Sequence, residues 1–279
     1  MPINYFDDLK SNVAYALKED VGEVDITALL INENEEATAE VICRDEAIIC
    51  GVPWVDEVFK QVDPNLDVEW LKDDGQVSKP GDLLFRVKGK ARSLLTAERP
   101  ALNYLQSLSA TATITSYYAS LIAHTKTKLL DTRKTIPGLR MAQKYAVMVG
   151  GGMNHRFGLY DAFLIKENHI LACGSITQAI KKARDLYSDR RVEVEVETMA
   201  ELEEAITAKP DWIMLDNFSL TNMTIALNTP HSGILFEASG GIEKESELIK
   251  IAETGVDFVS MGILTKNINA IDLSMRFAD

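Results

Sequence analysis

The stretch VEVEVETMAELEEAITAKPDWIMLDN (residues 192–217) holds two short apolar strands separated by one amphipathic helix. We place the strands at Val192–Val196 and Trp212–Leu215 and the helix at Met199–Ala208. Two strands joined by a helix of this length form a parallel βαβ unit.

The same strand–helix alternation extends from about residue 128 to residue 261. Further helices are predicted at Thr177–Tyr187 and Lys244–Glu253. Six parallel strands in a row make a barrel or a doubly wound sheet. Because the spacing is regular and no Gly-rich dinucleotide motif follows the first strand, we favour a barrel. The four further predicted strands are Lys128–Asp131, Ala162–Lys166, Ile234–Ala238 and Phe258–Met261.

The first half of the chain is less regular. Residues 5–18 have helical periodicity, Ala37–Ile49 alternates as paired strands, and Asp25 is expected to cap or turn the chain. Thr96 is predicted to cap a long helix that runs from about Ala97 towards Ala123 and links the halves. The predicted division is an N-terminal α/β domain (1–112), a catalytic barrel (113–266) and a last segment (267–279) that packs back on the first domain.

Composition excludes several classes of protein. The 279 residues carry a net charge of −13, which disfavours general attraction to nucleic acid or to anionic membranes. No apolar run is long enough to span a bilayer, and the start MPINYFDDLKS lacks the features of a signal peptide. Three cysteines without CxxC spacing predict neither a disulfide framework nor a zinc site, so we expect a cytoplasmic protein.

Charge is distributed unevenly along this acidic chain. Residues 131–169 contain six Lys or Arg against three Asp or Glu, a local charge of +3, and two of the four histidines. Cations concentrated in this way predict a pocket for a polyanionic small molecule rather than a surface that coats nucleic acid.

The ends of the predicted strands carry the polar residues. In a parallel barrel the active site lies at the carboxyl ends of the strands. Read in chain order, the strand ends supply cations, then carboxylates, and finally glycine-containing turns. The backbone N–H groups of such turns can hold a phosphate. This order indicates a phosphorylated substrate together with Mg²⁺. The residues are Asp131, Arg133 and Lys134, Lys166–Glu167, Glu195 and Glu197, Asp216–Asn217, Ser239–Gly240–Gly241 and Ser260–Met261–Gly262.

Each of these positions also has a structural interpretation. Glu195 and Lys166 could form an ion pair that only stabilises the barrel, and Gly240–Gly241 could be a tight turn without a ligand. His155–Arg156 is more specific, because this basic pair follows a glycine run and has no acid nearby until Asp161.

Several segments closely resemble the quinolinate phosphoribosyltransferases, also called carboxylating nicotinate-nucleotide pyrophosphorylases. The resemblance covers nearly the whole chain in the right order, and the combination of motifs is far more specific than any one of them. The segments are ALKEDVGEVDIT (16–27), AERPALNYLQSLSATAT (97–113), DTRKTIPGLR (131–140), KYAVMVGGGMNHRFGLYDAFLIKENH (144–169), EVEVET (193–198), IMLDNF (213–218), EASGGI (237–242) and TGVDFVSMG (254–262).

The resemblance implies an incomplete α/β barrel with an N-terminal open-faced α/β domain, assembled as a homodimer or a multiple of dimers. It implies that quinolinate and 5-phosphoribosyl-1-pyrophosphate (PRPP) react with Mg²⁺ present. The products are nicotinate mononucleotide, pyrophosphate and CO₂ in de novo NAD biosynthesis.

The resemblance also implies residue roles. Arg133, His155, Arg156 and Lys166 would contact the quinolinate carboxylates, and Lys134 would face the anionic substrates. Glu195 and Asp216 would hold the ribose hydroxyls or Mg²⁺. Arg99 would reach into the partner's active site. The 5′-phosphate would lie on Ser239, Gly240, Gly241 and Gly262.

Three alternatives stay open at this point. A relative such as nicotinate phosphoribosyltransferase, or the molybdate-operon homologue, would share the fold; with nicotinate as substrate there is no carboxyl to lose. A Schiff-base aldolase would use Lys166 as its nucleophile, although the Arg/His cluster exceeds what that reaction needs. A degenerate, ligand-sensing barrel would bind without turnover.

Overall fold

The computed structural model describes residues 4–231, 233–242 and 244–278. The chain forms two compact units. The first comprises residues 1–116, 135–151 and 264–279, and the second comprises residues 117–134 and 152–263. The first unit extends to residue 116, whereas the predicted boundary was residue 112. It also includes segment 135–151, which was predicted to lie within the barrel.

Twelve strands and ten α-helices are present in the described residues. The strands are β1 (Glu36–Cys43), β2 (Ala47–Ile48), β3 (Asp67–Trp70), β4 (Val77–Ser78), β5 (Leu83–Lys90), β6 (Lys128–Leu130), β7 (Ala162–Ile165), β8 (Arg191–Val196), β9 (Trp212–Asp216), β10 (Leu235–Ser239), β11 (Phe258–Ser260) and β12 (Leu273–Phe277). The helices are α1 (Leu9–Val21), α2 (Val52–Val62), α3 (Ala91–Leu121), α4 (Arg140–Val149), α5 (Glu167–Cys173), α6 (Ile176–Leu186), α7 (Met199–Ala208), α8 (Leu220–Asn228), α9 (Glu245–Glu253) and α10 (Ile263–Lys266).

The first unit is built on an antiparallel sheet with the strand order β12-β1-β5-β3. Both strands predicted within Ala37–Ile49 form, but they do not pair with each other. β1 lies between β5 and β12, and the short β2 pairs with β4. The last strand of the chain therefore completes the sheet of the first unit. None of the helices in the described part of the chain is long and apolar enough to cross a membrane.

Helix α3 begins at Ala91, so the predicted N-cap at Thr96 is wrong. The Ala91 N–H donates to the Glu35 carbonyl at 2.8 Å, and Thr96 lies inside the helix. The Thr96 hydroxyl instead donates to Asp25 Oδ2 at 2.9 Å. Asp25 Oδ1 accepts the N–H groups of Thr27 and Ala28 at 3.1 and 3.0 Å, which confirms the predicted turn at Asp25.

The second unit is a six-stranded parallel sheet with the strand order β6-β11-β10-β9-β8-β7. Each predicted strand of this half is present, with bounds that differ by no more than one residue. Helices follow the strands, as the βαβ pattern predicts. The parallel α/β class is confirmed.

The parallel sheet curls into an incomplete barrel. A bridge between Leu130 and Met153 places segment 153–156 beyond β6, at one edge of the sheet. His155 Nε2 nevertheless lies 2.9 Å from Glu193 Oε2 on β8 and 3.2 Å from Glu237 Oε2 on β10. In a flat sheet β8 would lie five strand spacings away, about 24 Å, which is farther than two side chains can reach. Among the described residues, β6 and β7 do not pair with each other.

The loop between β8 and α7 is held by a capping box. Thr198 Oγ1 accepts the Glu201 N–H at 3.2 Å, and Glu201 Oε2 accepts the Thr198 N–H at 3.0 Å. Glu201 Oε2 also accepts the Glu197 N–H at 2.8 Å. The cap thus fixes the backbone that presents Glu197 at the end of β8.

Thr198→Ala removes the side-chain acceptor of this cap. We expect the free energy of unfolding, measured by urea denaturation, to fall by about 1 kcal/mol. Thr207→Ala, near the end of the same helix, is the matched control and should change stability by less than about 0.5 kcal/mol. Equal effects of the two substitutions would show that the cap does not stabilise the loop.

Candidate active site

The carboxyl ends of β7, β8 and β9 bring a lysine and three carboxylates together. Lys166 directly follows β7, and its Nζ forms an ion pair with Glu195 on β8. Carboxylate oxygens of Glu195, Glu197 and Asp216 lie within 4.8 Å of one another. The sequence predicted Lys166, Glu195 and Asp216 at neighbouring strand ends, and the barrel brings all three to one edge.

His169 is close to Lys166 but does not hold the lysine's amine. Its Nδ1 accepts the Lys166 backbone N–H at 3.0 Å, in a capping box at the start of α5. The imidazole therefore fixes the turn from which the Lys166 side chain extends.

The turns after β9 and β10 pack closely against each other. Asn217 has a positive φ of 54°, and its N–H donates to the Ser239 carbonyl at 3.0 Å. A Cβ on Gly240, which has φ of +110°, would lie 2.3 Å from Asn217 Oδ1 and 2.8 Å from the Asn217 nitrogen. Only glycine fits at position 240, so this contact supports the turn interpretation and leaves the phosphate role of Gly240 a prediction.

Gly262 lies beside Lys134. A Cβ on Gly262 would be 2.9 Å from Lys134 Cδ and 3.7 Å from Lys134 Nζ. The end of β11 thus leaves room for the lysine that follows β6. The barrel places this predicted cation beside this predicted phosphate-binding glycine.

Arg133 and Arg156 come from different parts of the sequence and lie near each other. Burial and, after it, the positive charge of Arg133 lower the pKa of the Arg156 guanidinium. Two arginines held together in a partly buried position form a natural binding site for an anion with two acidic groups.

Two aspartates anchor the backbone on either side of Arg156. Asp131 is 0% exposed; its Oδ1 accepts the His155 N–H at 2.9 Å and its Oδ2 accepts the Asn154 amide at 2.7 Å. Asp161 accepts the N–H groups of Phe157 and Gly158, both at 2.8 Å. The sequence placed Asp131 among the strand-end residues without a specific role, and Asp161 was not assigned to the site.

The imidazole of His155 points into the barrel and is 6% exposed. Its Nδ1 accepts the Arg156 N–H at 2.7 Å, so Nε2 carries the ring proton towards Glu193 and Glu237, which are both 0% exposed. Burial and then the charge of Glu193 raise the pKa of Glu237 to about 7.

The sequence analysis missed Glu193 and Glu237. The signal was available for Glu193, since it is two residues before Glu195 and must face the same side of the strand. Glu237 lay inside a predicted apolar strand, where no local pattern marks a buried acid.

All but one of the predicted site residues belong to the barrel unit. Arg99 is the exception: it lies in the part of α3 that belongs to the first unit, and its side chain is 59% exposed. The pair of roles predicted for Arg99, a substrate contact and a reach into a partner, stays a prediction.

Comparison with known proteins covers both units. Family models for the N-terminal and the C-terminal domain of quinolinate phosphoribosyl transferase match residues 25–109 and 111–276. A probable carboxylating nicotinate-nucleotide pyrophosphorylase of Bacillus subtilis is 41% identical over 96% of this chain and 92% of its own length. The chloroplastic carboxylating nicotinate-nucleotide pyrophosphorylase of Arabidopsis thaliana is 36% identical over 96% of this chain and 82% of its own length. The solved structure of the nicotinate-nucleotide pyrophosphorylase from Francisella tularensis superposes with a TM-score of 0.94 at 48% identity, covering 99% of this chain and 98% of that one.

Glu237→Gln should change how stability depends on pH. The pKa of Glu237 is about 7 in the folded chain and ordinarily about 4.5, so the folded state holds a proton that the unfolded state releases. The wild type therefore loses stability as the pH rises from about 4.5 to about 7, by at most about 3 kcal/mol. Glutamine does not titrate, so we expect the variant to gain stability relative to the wild type across this window.

The measurement is urea denaturation at pH 5, 6, 7 and 8, with Glu247→Gln as the control on the exposed side of α9. A constant difference between Glu237→Gln and the wild type at all four pH values would contradict the raised pKa.

Proposed function

We propose that this chain, which belongs to the quinolinate phosphoribosyltransferase family, holds quinolinate and PRPP at the carboxyl ends of its barrel strands. The chain is a decarboxylating pentosyltransferase of de novo NAD biosynthesis. It transfers the phosphoribosyl group of PRPP to quinolinate, and nicotinate mononucleotide, pyrophosphate and CO₂ are the products.

The hydrogen bonds that Asp131 accepts from Asn154 and from the His155 N–H carry the assignment of the quinolinate site, because they join the segment of Arg133 to the segment of Arg156. Burial and the positive charge of Arg133 both disfavour the charge on Arg156, and a bound anion would offset both effects. Quinolinate has two adjacent carboxylates, and a guanidinium binds a carboxylate through two parallel N–H donors. Lys166, from the end of β7, completes the proposed set of contacts. The predicted quinolinate contact of His155 is left out of this set, because its imidazole faces Glu193 and Glu237 inside the barrel.

The carboxylates on β8 and β9 support the proposed ribose site. Attack on the anomeric carbon builds positive charge on the ribose ring, and Glu195 and Asp216 would stabilise that charge where it develops. The Lys166–Glu195 ion pair would join the two proposed substrate sites, since Lys166 is assigned to quinolinate and Glu195 to the ribose.

The same carboxylates suit Mg²⁺. Glu195, Glu197 and Asp216 offer hard oxygen ligands within 4.8 Å of one another, the kind of donor that Mg²⁺ prefers. Glu195 and Asp216 would hold the ion directly or through PRPP. Bound there, Mg²⁺ would neutralise charge on the pyrophosphate leaving group.

The 5′-phosphate of PRPP would lie against Ser239, Gly240, Gly241 and Gly262. Lys134 beside Gly262 supplies a positive charge for this phosphate or for the pyrophosphate. Glycine leaves the backbone N–H groups accessible to phosphate oxygens.

The reaction needs no nucleophilic side chain. The quinolinate nitrogen attacks the ribose anomeric carbon, and pyrophosphate leaves with the electron pair of the broken C–O bond. The resulting pyridinium then takes up the electron pair of the bond to the 2-carboxylate as CO₂ departs, and a proton replaces it on the ring. The protein contributes positioning, charge complementarity and exclusion of water.

We also propose how the chain assembles and where in the cell it is found. A homodimer, or a multiple of dimers, would let the exposed Arg99 of each chain enter the active site of its partner, and we propose a cytoplasmic location. Quinolinate, PRPP and a second copy of the chain are the proposed partners, with neither nucleic acid nor membrane among them.

The direct test is turnover. Protein, quinolinate, PRPP and Mg²⁺ should yield nicotinate mononucleotide and CO₂ in equal amounts, whereas nicotinate in place of quinolinate should release no CO₂. In Arg156→Ala, quinolinate affinity should fall at least about a hundredfold, because a charged donor pair is lost. PRPP affinity should stay within about twofold of the wild type.

Isothermal titration measures both affinities, and Arg184→Ala, at the other end of the barrel near Asp211, is the matched control. Unchanged quinolinate affinity in Arg156→Ala would refute the assignment. A Schiff base trapped on Lys166 with borohydride would favour the aldolase alternative, and tight quinolinate binding without turnover would favour the sensing alternative.

Subunit complementation tests the role of Arg99. We expect Arg99→Ala and Lys166→Ala each to be nearly inactive alone. Co-refolded as a mixture, they should regain activity at one site of each heterodimer, which retains Arg99 from one chain and Lys166 from the other. The measurement is nicotinate mononucleotide formation per mole of chain. No recovery, with heterodimers shown by mass spectrometry, would contradict a shared site.

A further inference from the structure

Asp131 lies where two separate parts of the predicted quinolinate site meet. It follows β6, two residues before Arg133, and it is completely buried. Its carboxylate accepts the His155 N–H through Oδ1 and the Asn154 amide through Oδ2. One side chain therefore ties the segment that contains Arg156 to the segment that contains Arg133.

Backbone hydrogen bonds around Asp131 also join these two segments. Its N–H donates to the Met153 carbonyl at 3.1 Å, and the Met153 N–H donates to the Leu129 carbonyl at 2.8 Å. These bonds align the two segments as a short parallel ladder. The ladder ends at Met153, and beyond it the Asp131 carboxylate extends the alignment by two residues, to Asn154 and His155.

The arrangement solves an electrostatic problem. Arg133 and Arg156 carry like charges, and after burial the charge of Arg133 is the next cause that lowers the pKa of Arg156, so backbone anchors beside both residues oppose their separation. Asp161 anchors the chain after Arg156, through the N–H groups of Phe157 and Gly158. Asp131 anchors it before Arg156, and both anchors are carboxylates that also offset the local positive charge.

We propose that Asp131 is a positioning residue for the transferase reaction: its carboxylate, bonded to Asn154 and to the His155 N–H, holds Arg156 beside Arg133 for quinolinate. This inference rests on the proposed function. Asp131 does not touch substrate; it acts through the backbone of the Asn154–Arg156 segment. Its loss should therefore weaken quinolinate binding and leave PRPP binding nearly unchanged, because the proposed PRPP contacts other than Lys134 lie at other strand ends.

A reciprocal exchange of aspartate and asparagine separates this role from a general contribution to stability. Asp131→Asn places two amide groups against each other and removes a charge, and Asn154→Asp places two carboxylates against each other. The double variant Asp131→Asn/Asn154→Asp restores a carboxylate–amide pair and the original net charge. In it, the residue-131 oxygen still accepts the His155 N–H.

The measurements are kcat and KM for each substrate, with melting temperature and circular dichroism for folding. We expect the quinolinate KM to rise about tenfold or more in each single variant, because a hydrogen bond to a charged group is lost. The PRPP KM should stay within about twofold of the wild-type value. The double variant should recover to within about threefold of the wild-type quinolinate KM. Asp185→Asn, an exposed aspartate on α6, is the control and should change neither constant.

Three results would overturn the proposal: an unchanged quinolinate KM in Asp131→Asn, an equal rise in both KM values, or a double variant no better than the product of the single effects. If Asp131→Asn does not fold, Asn154→Ala serves instead, since it removes one of the two bonds and keeps the buried aspartate. It should raise the quinolinate KM about threefold or more, and an unchanged value would again overturn the proposal. A wild-type protein that forms no nicotinate mononucleotide would instead refute the proposed function itself.

Discussion

Charged side chains buried inside the curled sheet must be compensated there, and this constraint organises the second unit. The strands β8 and β10 bring Glu193 and Glu237 into the barrel, where removal from water would be costly without partners. His155 lies between the two carboxylates, although its own segment lies at the edge of the sheet beyond β6. The contact can form only when the sheet closes, so the compensation of these charges and the shape of the barrel depend on each other.

Much of the barrel could be predicted because its signals are local. Each strand and its following helix can be recognised within about 25 residues, and the parallel order follows from their alternation. Helix α2 was not predicted, and its start shows why: Asp74 Oδ1 accepts the N–H groups of Gly51 and Val52 at 2.8 and 3.0 Å. Because this cap comes from more than twenty residues away, no capping side chain next to the helix in the sequence indicates where it begins. The start of α3 was misplaced for the same reason, since the Glu35 carbonyl accepts its first N–H.

The residues of the candidate site fall into the same two groups: those that the local sequence indicates and those that only the folded structure reveals. Charges at strand ends, such as Lys166 and Asp216, were predicted because the ends of parallel strands share one edge of the sheet. Asp131 was placed at the end of the first barrel strand but was given no specific role, because its role depends on contacts 23 and 24 residues along the chain. Residues that touch a substrate are often chemically conspicuous in sequence, whereas residues that hold them in place become visible only through hydrogen bonds and burial.

The separation of charge within the barrel also accounts for how an acidic protein binds acidic substrates. With a net charge of −13, the chain as a whole repels quinolinate and PRPP at long range. At physiological ionic strength that repulsion is screened beyond about 8 Å, whereas contacts within a partly buried site are screened much less. Recognition must then come from cations fixed near the site before the substrate arrives. In the proposed site, the carboxylates that bind the backbone around Arg156 would hold that residue in place with Arg133, so the acidic anchors would be as necessary to anion binding as the cations themselves.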